Sequence, residues 1–512
     1  MMMRCMKKAV MIITIIMVTT SFVSCRRQQG FGAGADIFER MANTTYEVKL
    51  LFPGMDPQPD RDMVVQAIND KLTEMGYPGL TIRLDSMDWA SWSGRSTAII
   101  LSGGDYDLAY APDWAPFYND ALMGGAWLPW ESYIIPEYAE WIEPWREYLY
   151  VWGANHRQKH IYRVPTIKEY ATYPLEVRWN KNVTDRLGIT EAMRAVTSVY
   201  DLEPFLELYK NEYENRGMAV IAVDSGDLIN YFALGAPGIF QPVYTADTDS
   251  YVNAAFSPWF DEYVNLLRDW YAKGYIPDYQ QLELLDDLIL KFGTESFLVY
   301  FNRGKPGGEA ELNQVAMQQY GFEWGVTVLT PPYIDLNALL AVSWGLNSRS
   351  RNPEAAAFVY QLLSTSKELT NLINFGIEGV HYNLDDNGVA IRVEPSRYFS
   401  NLLWMLGNRF LCHRLPGEPE NLSELYMDFN NRAIRFPNFG FPYPGDDAWD
   451  GVNVDMFWGT AAALNTQYQR SIMIGNISDA EIADIRLKLT QSNFQGIDEV
   501  MNREYRTWQA DR

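Results

Sequence analysis

The chain has 512 residues, 47% of them apolar and 21% charged, with a formal net charge of −23. That length exceeds one ordinary core and predicts two lobes, and the balance of apolar to charged residues excludes a disordered chain or a multi-span membrane protein. A polyanion of this size repels nucleic acid and anionic lipid, which sets both aside as partners. The three cysteines, Cys5, Cys25 and Cys412, supply neither a disulfide framework nor a thiolate metal site. Aromatic residues make up 14% of the chain; most are assigned to the core and a few to a cleft built from flat rings.

The N-terminus reads as an export signal. Arg4, Lys7 and Lys8 make a positive start, and Ala9 to Val18 is an apolar run too short to span a bilayer. Phe22-Val23-Ser24-Cys25 follows and resembles the lipobox of bacterial lipoproteins, although Phe22 stands where Leu is usual. The resemblance implies a signal peptide over 1–24 and a diacylated Cys25. That segment holds three positive charges and no negative ones, so the mature chain would stand at −26. Residues 25–45 read as a flexible tether with a reach of roughly 25 Å.

Tyr46 to Phe52 predicts a first strand closed by Pro53-Gly54. Val64, Val65, Ile68 and Leu72 give a helix over 61–75 its apolar face, and Gly76 stops it. Leu80 to Leu84 predicts a second strand. A segment with Trp89 and Trp92 precedes a helix running to Leu101, and Ser102 to Tyr110 is a turn feeding a third strand that ends near Tyr110. This alternation is that of an α/β fold with a parallel sheet. Further strands are predicted at Met218 to Val223 and Trp324 to Leu329, and a helix at Phe260 to Lys273. Asn352-Pro353-Glu354 is a helix start, and Ser478 with Glu481 forms a capping box. The Pro-, Gly-, Asn- and Asp-rich stretch 416–450 predicts a long irregular loop.

Several segments together resemble the family 1 extracellular solute-binding proteins, and more narrowly their LipO-like lipoproteins. They are Ser102-Gly103-Gly104-Asp105-Tyr106-Asp107; Trp179-Asn180-Lys181 with Leu187-Gly188-Ile189; Trp324 to Pro331; Ala341 to Asn347 with Arg351 to Glu354; and Asn374-Phe375-Gly376-Ile377-Glu378-Gly379-Val380-His381-Tyr382. Trp179 and Phe375 replace the family's usual Tyr. The resemblance covers the whole mature chain. It implies a two-lobe α/β clamp of the type II periplasmic-binding-protein kind, with a ligand cleft between lobes that closes by hinge motion. Lobe 1 is expected at 46–165 and 293–348, lobe 2 at 168–290 and 353–512. The implied function is that of a monomeric, envelope-anchored lipoprotein that delivers a small polar solute, a sugar or oligosaccharide, to ABC permease subunits. Its membrane contact is the lipid anchor alone.

A sugar offers apolar C–H faces and many hydroxyls, so its site needs aromatic platforms and fixed donors and acceptors. Parallel strands deliver such residues at their carboxyl ends. Asp113 and Trp114 follow the third strand, Trp89 and Trp92 precede a helix, and Glu169, Tyr173 and Arg178 lie past the first crossover. Alignment by the resemblance adds Asp224, Asp227 and Tyr231, and near the second crossing Asn302, Arg303 and Trp344. Trp89 and Trp92 read equally as core, Trp179 reads as core, and Arg178 reads equally as a structural ion-pair partner. Glu378 and His381 fit a structural hydrogen-bond network at least as well as a ligand contact.

No cofactor or metal is called for. His156 and His160 have helical i,i+4 spacing but two cations between them. Asp385-Asp386-Asn387-Gly388 fails calcium-loop spacing and reads as a hairpin turn. There is no Walker loop and no nucleophile elbow. The rival from another class is a surface lipoprotein glycoside hydrolase or lyase, which needs an acid pair across a glycosidic bond.

Overall fold

The computed structural model describes residues 34–511 apart from 35, 55–57, 113–114, 116–120, 123, 147–148, 150–159, 214–217, 222–225, 237, 277–288, 290, 335–338, 399–401, 442–443 and 445. Cys5, Cys25, His156, Asp113, Trp114 and Asp224 lie outside the described residues.

β1 (Tyr46–Pro53), β2 (Leu80–Met87) and β3 (Leu108–Tyr110) form as predicted. β1 lies between the other two and runs parallel to both, with Leu50 opposite Leu84 and Leu108. The pleat sends Val48, Leu50, Ile82 and Leu84 to buried faces. α1 (Arg61–Glu74) and α2 (Trp89–Ser102) supply the crossovers. Asp88 caps α2 by accepting from the Ser91 N–H at 2.9 Å. β4 (Trp127–Leu128) and β5 (Arg163–Pro165) complete the early strands.

The second sheet holds β6 (Tyr173–Asn180), β7 (Met218–Ile221), β8 (Phe297–Gly304) and β9 (Trp324–Val328), in the order β9-β6-β8-β7. β8 pairs antiparallel with β6 and parallel with β7, and β9 pairs antiparallel with β6. At Gly325 a Cβ would overlap the Trp179 ring, so glycine is required for the two strands to lie flat there. β10 (Ser343–Asn347) then returns to the first sheet between β3 and β4 and also pairs with β5.

This topology corrects the expected lobes. Of the segment 293–348, only the end belongs with 46–165: β8 and β9 are built onto β6, whereas Ile334 onward, with β10, lies in the first core and sheet. Nor does 353–439 belong with the second body. α3 (Pro258–Ala272) and α4 (Gly308–Gln319) flank the second sheet, whereas α5 (Pro353–Thr365) and α6 (Lys367–Phe375) pack into the first core. The first core draws on Ile37 to Ala171 and Ile334 to Phe439. The second draws on Leu175 to Phe301 and Trp449 to Tyr505. An apolar strand announces that it is buried and leaves its pairing partner unstated.

Two smaller expectations also change. The proposed tether 25–45 contains a helix, Ile37–Ala42, whose Ile37 and Met41 are buried in the first core and whose Arg40 pairs with Glu354. The loop expected over 416–450 contains α7 (Leu422–Arg432), anchored by buried Tyr426 and Phe429.

The described chain passes between the two bodies at three places, and the passages lie side by side. Thr172 and Tyr333 exchange backbone hydrogen bonds at 2.9 Å. Ile434 donates to Pro332 at 2.8 Å and accepts from Ile334 at 3.0 Å. α8 (Val454–Ile474), α9 (Asp479–Gln491) and α10 (Phe494–Ala510) close the second body. The capping box at Ser478 and Glu481 and the Asn352 cap form as predicted. No helix among the described residues is long and apolar enough to cross a membrane.

Candidate functional site

β7 and β8 run parallel, so their carboxyl ends open on one edge of the second sheet, where α/β sheets present loops to ligands. A pocket of about 500 Å³ lies there, within the usual range of small-molecule sites, about 300–1,000 Å³. Arg303, next to last in β8, forms one wall. Asp227 and Asn230 form a second, and the loop 238–241 a third. The fourth is one face of α8, where Trp458, Ala461, Ala462, Asn465 and Gln469 recur at helical spacing. The two alanines leave a trough between the half-buried Trp458 indole and the two exposed amides.

The walls are fixed by hydrogen bonds. The Arg303 Nε donates to Asp227 Oδ1 at 2.9 Å. The Asn230 amide donates to the same oxygen at 3.3 Å, and its own oxygen accepts from the Gly235 N–H at 3.0 Å. Gly235 has φ +73°, and a Cβ there would meet the Tyr333 hydroxyl at 2.5 Å. The turn that shapes the pocket therefore rests on the passage between the bodies. Arg178 donates to the Arg303 carbonyl at 2.6 Å and to Glu176 at 2.7 Å. Asn302 accepts from the Arg303 N–H at 2.8 Å. These two residues hold the end of β8 in place.

Asp227, Asn302, Arg303 and Arg178 thus come together. Tyr231 follows Asn230 and hydrogen-bonds Ser198 through its hydroxyl at 2.9 Å. The others do not join them. Trp92 is 2% exposed and packs on Tyr110. Trp89 opens α2, with its side chain outside the described set. Tyr173 is half-buried against Phe429, 4.6 Å between ring centroids. Trp344 has no accessible surface and donates its indole N–H to the Met405 carbonyl at 2.9 Å, so it has no face to offer a ligand. His381 accepts from the Ile377 N–H at 2.9 Å and faces Asp60 at 3.4 Å, a structural network, while Glu378 is exposed. Asp385 accepts from the Asn387 and Val389 N–H groups at 2.8 and 2.9 Å, which closes the predicted hairpin. The sequence reading missed the α8 face. Its signal was a helical stripe of Ala, Asn and Gln below a Trp, where an apolar stripe would mark core.

A wider groove of about 840 Å³ lies between α4 and residues 392–419. Its described lining has no aromatic ring and sets Glu309, Glu323 and Glu394 against Arg392, a poorer surface for a polyhydroxylated solute.

No protein-family model matches the chain. A carbohydrate ABC transporter substrate-binding protein of Streptococcus pneumoniae serotype 4 is 22% identical over 444 residues, spanning 83% of this chain and 84% of that protein. The crystal structure of the N-glycan transport solute-binding protein NgtS from S. pneumoniae superposes with a TM-score of 0.74 at 19% identity, over 91% of this chain and 99% of that one. The S. pneumoniae substrate-binding protein FusA, in complex with kestose, gives 0.57 at 16% identity, over 91% and 100%. The fold is that of the ABC-transporter solute-binding proteins.

In this solute-binding fold the passage between bodies is braced by buried charge. Lys305, the residue after β8, places its ammonium 3.3 Å from Glu169 and 2.9 Å from Glu311. Arg409 pairs with Glu311 at 3.3 Å and with Glu418, and Lys168 lies 3.2 Å from Glu169. The Lys305 and Arg409 cations both lie over the Tyr426 ring, at 5.7 and 5.9 Å. Burial pushes the Glu169 carboxyl up, but Lys168 and Lys305 outweigh it and hold it at about 2. Burial likewise opposes the Lys305 charge, and Glu169 and Glu311 reverse that, keeping it well above the ordinary lysine value. Glu169, expected at the ligand, is therefore committed to this cluster.

Proposed function

We propose that this chain is the substrate-binding component of an ABC importer and captures a carbohydrate without chemical turnover, by closure of the two bodies over the pocket at Arg303 and Trp458. One observation carries the reading: the Trp458 indole and the Asn465 and Gln469 amides line one pocket at the carboxyl ends of β7 and β8, in a molecule whose two bodies are joined by a narrow paired passage. An aromatic ring stacks on the C–H face of a sugar, and Asn and Gln side chains both donate to and accept from hydroxyls. The likeness to carbohydrate substrate-binding proteins supports the same reading.

Calorimetric titration with a panel of oligosaccharides tests it. Binding with the saccharide recovered intact is expected; recovery of cleaved product favours the hydrolase or lyase reading. Trp458→Ala is expected to weaken the best ligand by about 1–2 kcal/mol, roughly 5- to 30-fold in Kd, with thermal stability nearly unchanged. Full affinity in that variant removes Trp458 from the site.

The reading also places the protein outside the cytoplasmic membrane, with residues 1–24 removed and Cys25 acylated. Cys25→Ser is expected to shift the protein from the detergent phase to the aqueous phase on phase separation. Equal partition of both forms rejects the anchor.

A further inference from the structure

The charges around the pocket carry information about which carbohydrate it takes. Among the described residues, the charged side chains lining it are Asp227 and Arg303, and they are engaged with one another at 2.9 Å. The Asn230 amide adds a further donor to the same carboxylate oxygen. The remaining polar lining is neutral: Gln241, Asn465 and Gln469 are carboxamides.

A hydroxyl is donor and acceptor at once, and a carboxamide matches it in either sense. A carboxylate accepts only, and is held well where donors are in excess and a cation is available to it. Here the cation already has its carboxylate. An arriving uronate would have to displace Asp227 or sit beside it, like charge against like charge, in a site that closes away from water. The chain's formal charge of −23 adds a long-range cost to the approach of any anion.

We infer that the pocket selects neutral glycans and discriminates against acidic ones of the same length and linkage, with the Asp227–Arg303 pair as the discriminating element. This rests on the carbohydrate reading of the same site.

The experiment is calorimetric titration of the mature chain with three matched pairs: β-1,4-mannotetraose and tetramannuronate, cellotetraose and β-1,4-tetraglucuronate, and α-1,4-galactotetraose and tetragalacturonate. Each pair differs only in oxidation at C6. The expected result is that at least one neutral member binds, and binds ten-fold or more tightly than its uronate. Asp227→Asn removes the negative charge of Asp227 from beside the Arg303 guanidinium, and is expected to narrow that ratio several-fold or invert it. A uronate that binds wild-type protein as tightly as its neutral match overturns the inference and leaves the carbohydrate reading standing. An unchanged ratio in Asp227→Asn, with the variant folded by circular dichroism, overturns the role of the pair. Silence from all six ligands counts against both.

Discussion

Replacing Lys305 with Met is expected to cost about 3 kcal/mol of folding stability, the low end for breaking a buried ion pair from one side, because Lys168 and Arg409 remain beside the carboxylates. The Lys305 ammonium faces Glu169 and Glu311; Glu169 is only 4% exposed, and Glu311 is partly exposed. Removing the cation leaves Glu169 to Lys168 and Glu311 to Arg409; the methylenes that Met retains do nothing for the lost charge. Denaturant unfolding of the variant against wild type measures the loss, and Lys305→Arg, which keeps the charge, is expected to recover a good part of it. The deficit is also expected to depend on pH. The Glu169 carboxyl is held at about 2, below its ordinary 4.5. Its contribution is therefore complete above pH 4.5 and is lost as pH falls towards 2. The gap between wild type and Lys305→Met should be full at pH 7 and shrink on acidification through that window. A deficit under 1 kcal/mol at pH 7, or one that grows in acid, contradicts the assignment.

Trp344→Ala is expected to cost a further large amount, about 3–5 kcal/mol, as for other fully buried tryptophans. Its ring packs against Tyr360, Phe52 and Tyr110, with centroids 5.5, 6.1 and 6.2 Å away. Truncation opens a cavity among them and leaves the Met405 carbonyl without the indole N–H it accepts at 2.9 Å. Trp344→Phe should lose less, because most of the volume stays and the Met405 carbonyl still accepts from the Thr166 hydroxyl; the lost hydrogen bond is a matter of about 0.5–1.5 kcal/mol. Thermal unfolding reads both. Ligand affinity of the folded fraction is expected to stay within about two-fold of wild type. A large loss of affinity with stability intact would return this ring to the cleft.

The contrast between Trp344 and Trp458 shows what the sequence could carry. Helix starts were legible because a cap is a local event: Asn352 and Ser478 each need only the next three residues. The run from β1 to β3 was legible because strands and crossovers follow one another without interruption. The placement of β8 and β9 was not, since their partner β6 lies more than a hundred residues upstream and nothing in an apolar strand names its neighbour. The same blindness applied to tryptophan. Trp344 and Trp458 are alike in composition, and what separates them is that one sits mid-sheet between β3 and β4 while the other stands beside two alanines on an open helix face. Asp227 and Arg303 were both named in advance, but their pairing became visible only in three dimensions.

The paired backbones at Thr172, Tyr333 and Ile434 have a mechanical consequence. Swivelling one body about a single connecting chain would shear the hydrogen bonds that tie each passage to the next, whereas flexing all three together preserves them. If the two bodies close on a solute as proposed, the movement that keeps these bonds is an angle of opening, and the solute would have to supply only the free energy that biases that angle. The arrangement also tolerates damage: a protease nick in any one passage would leave the halves in register on the other two.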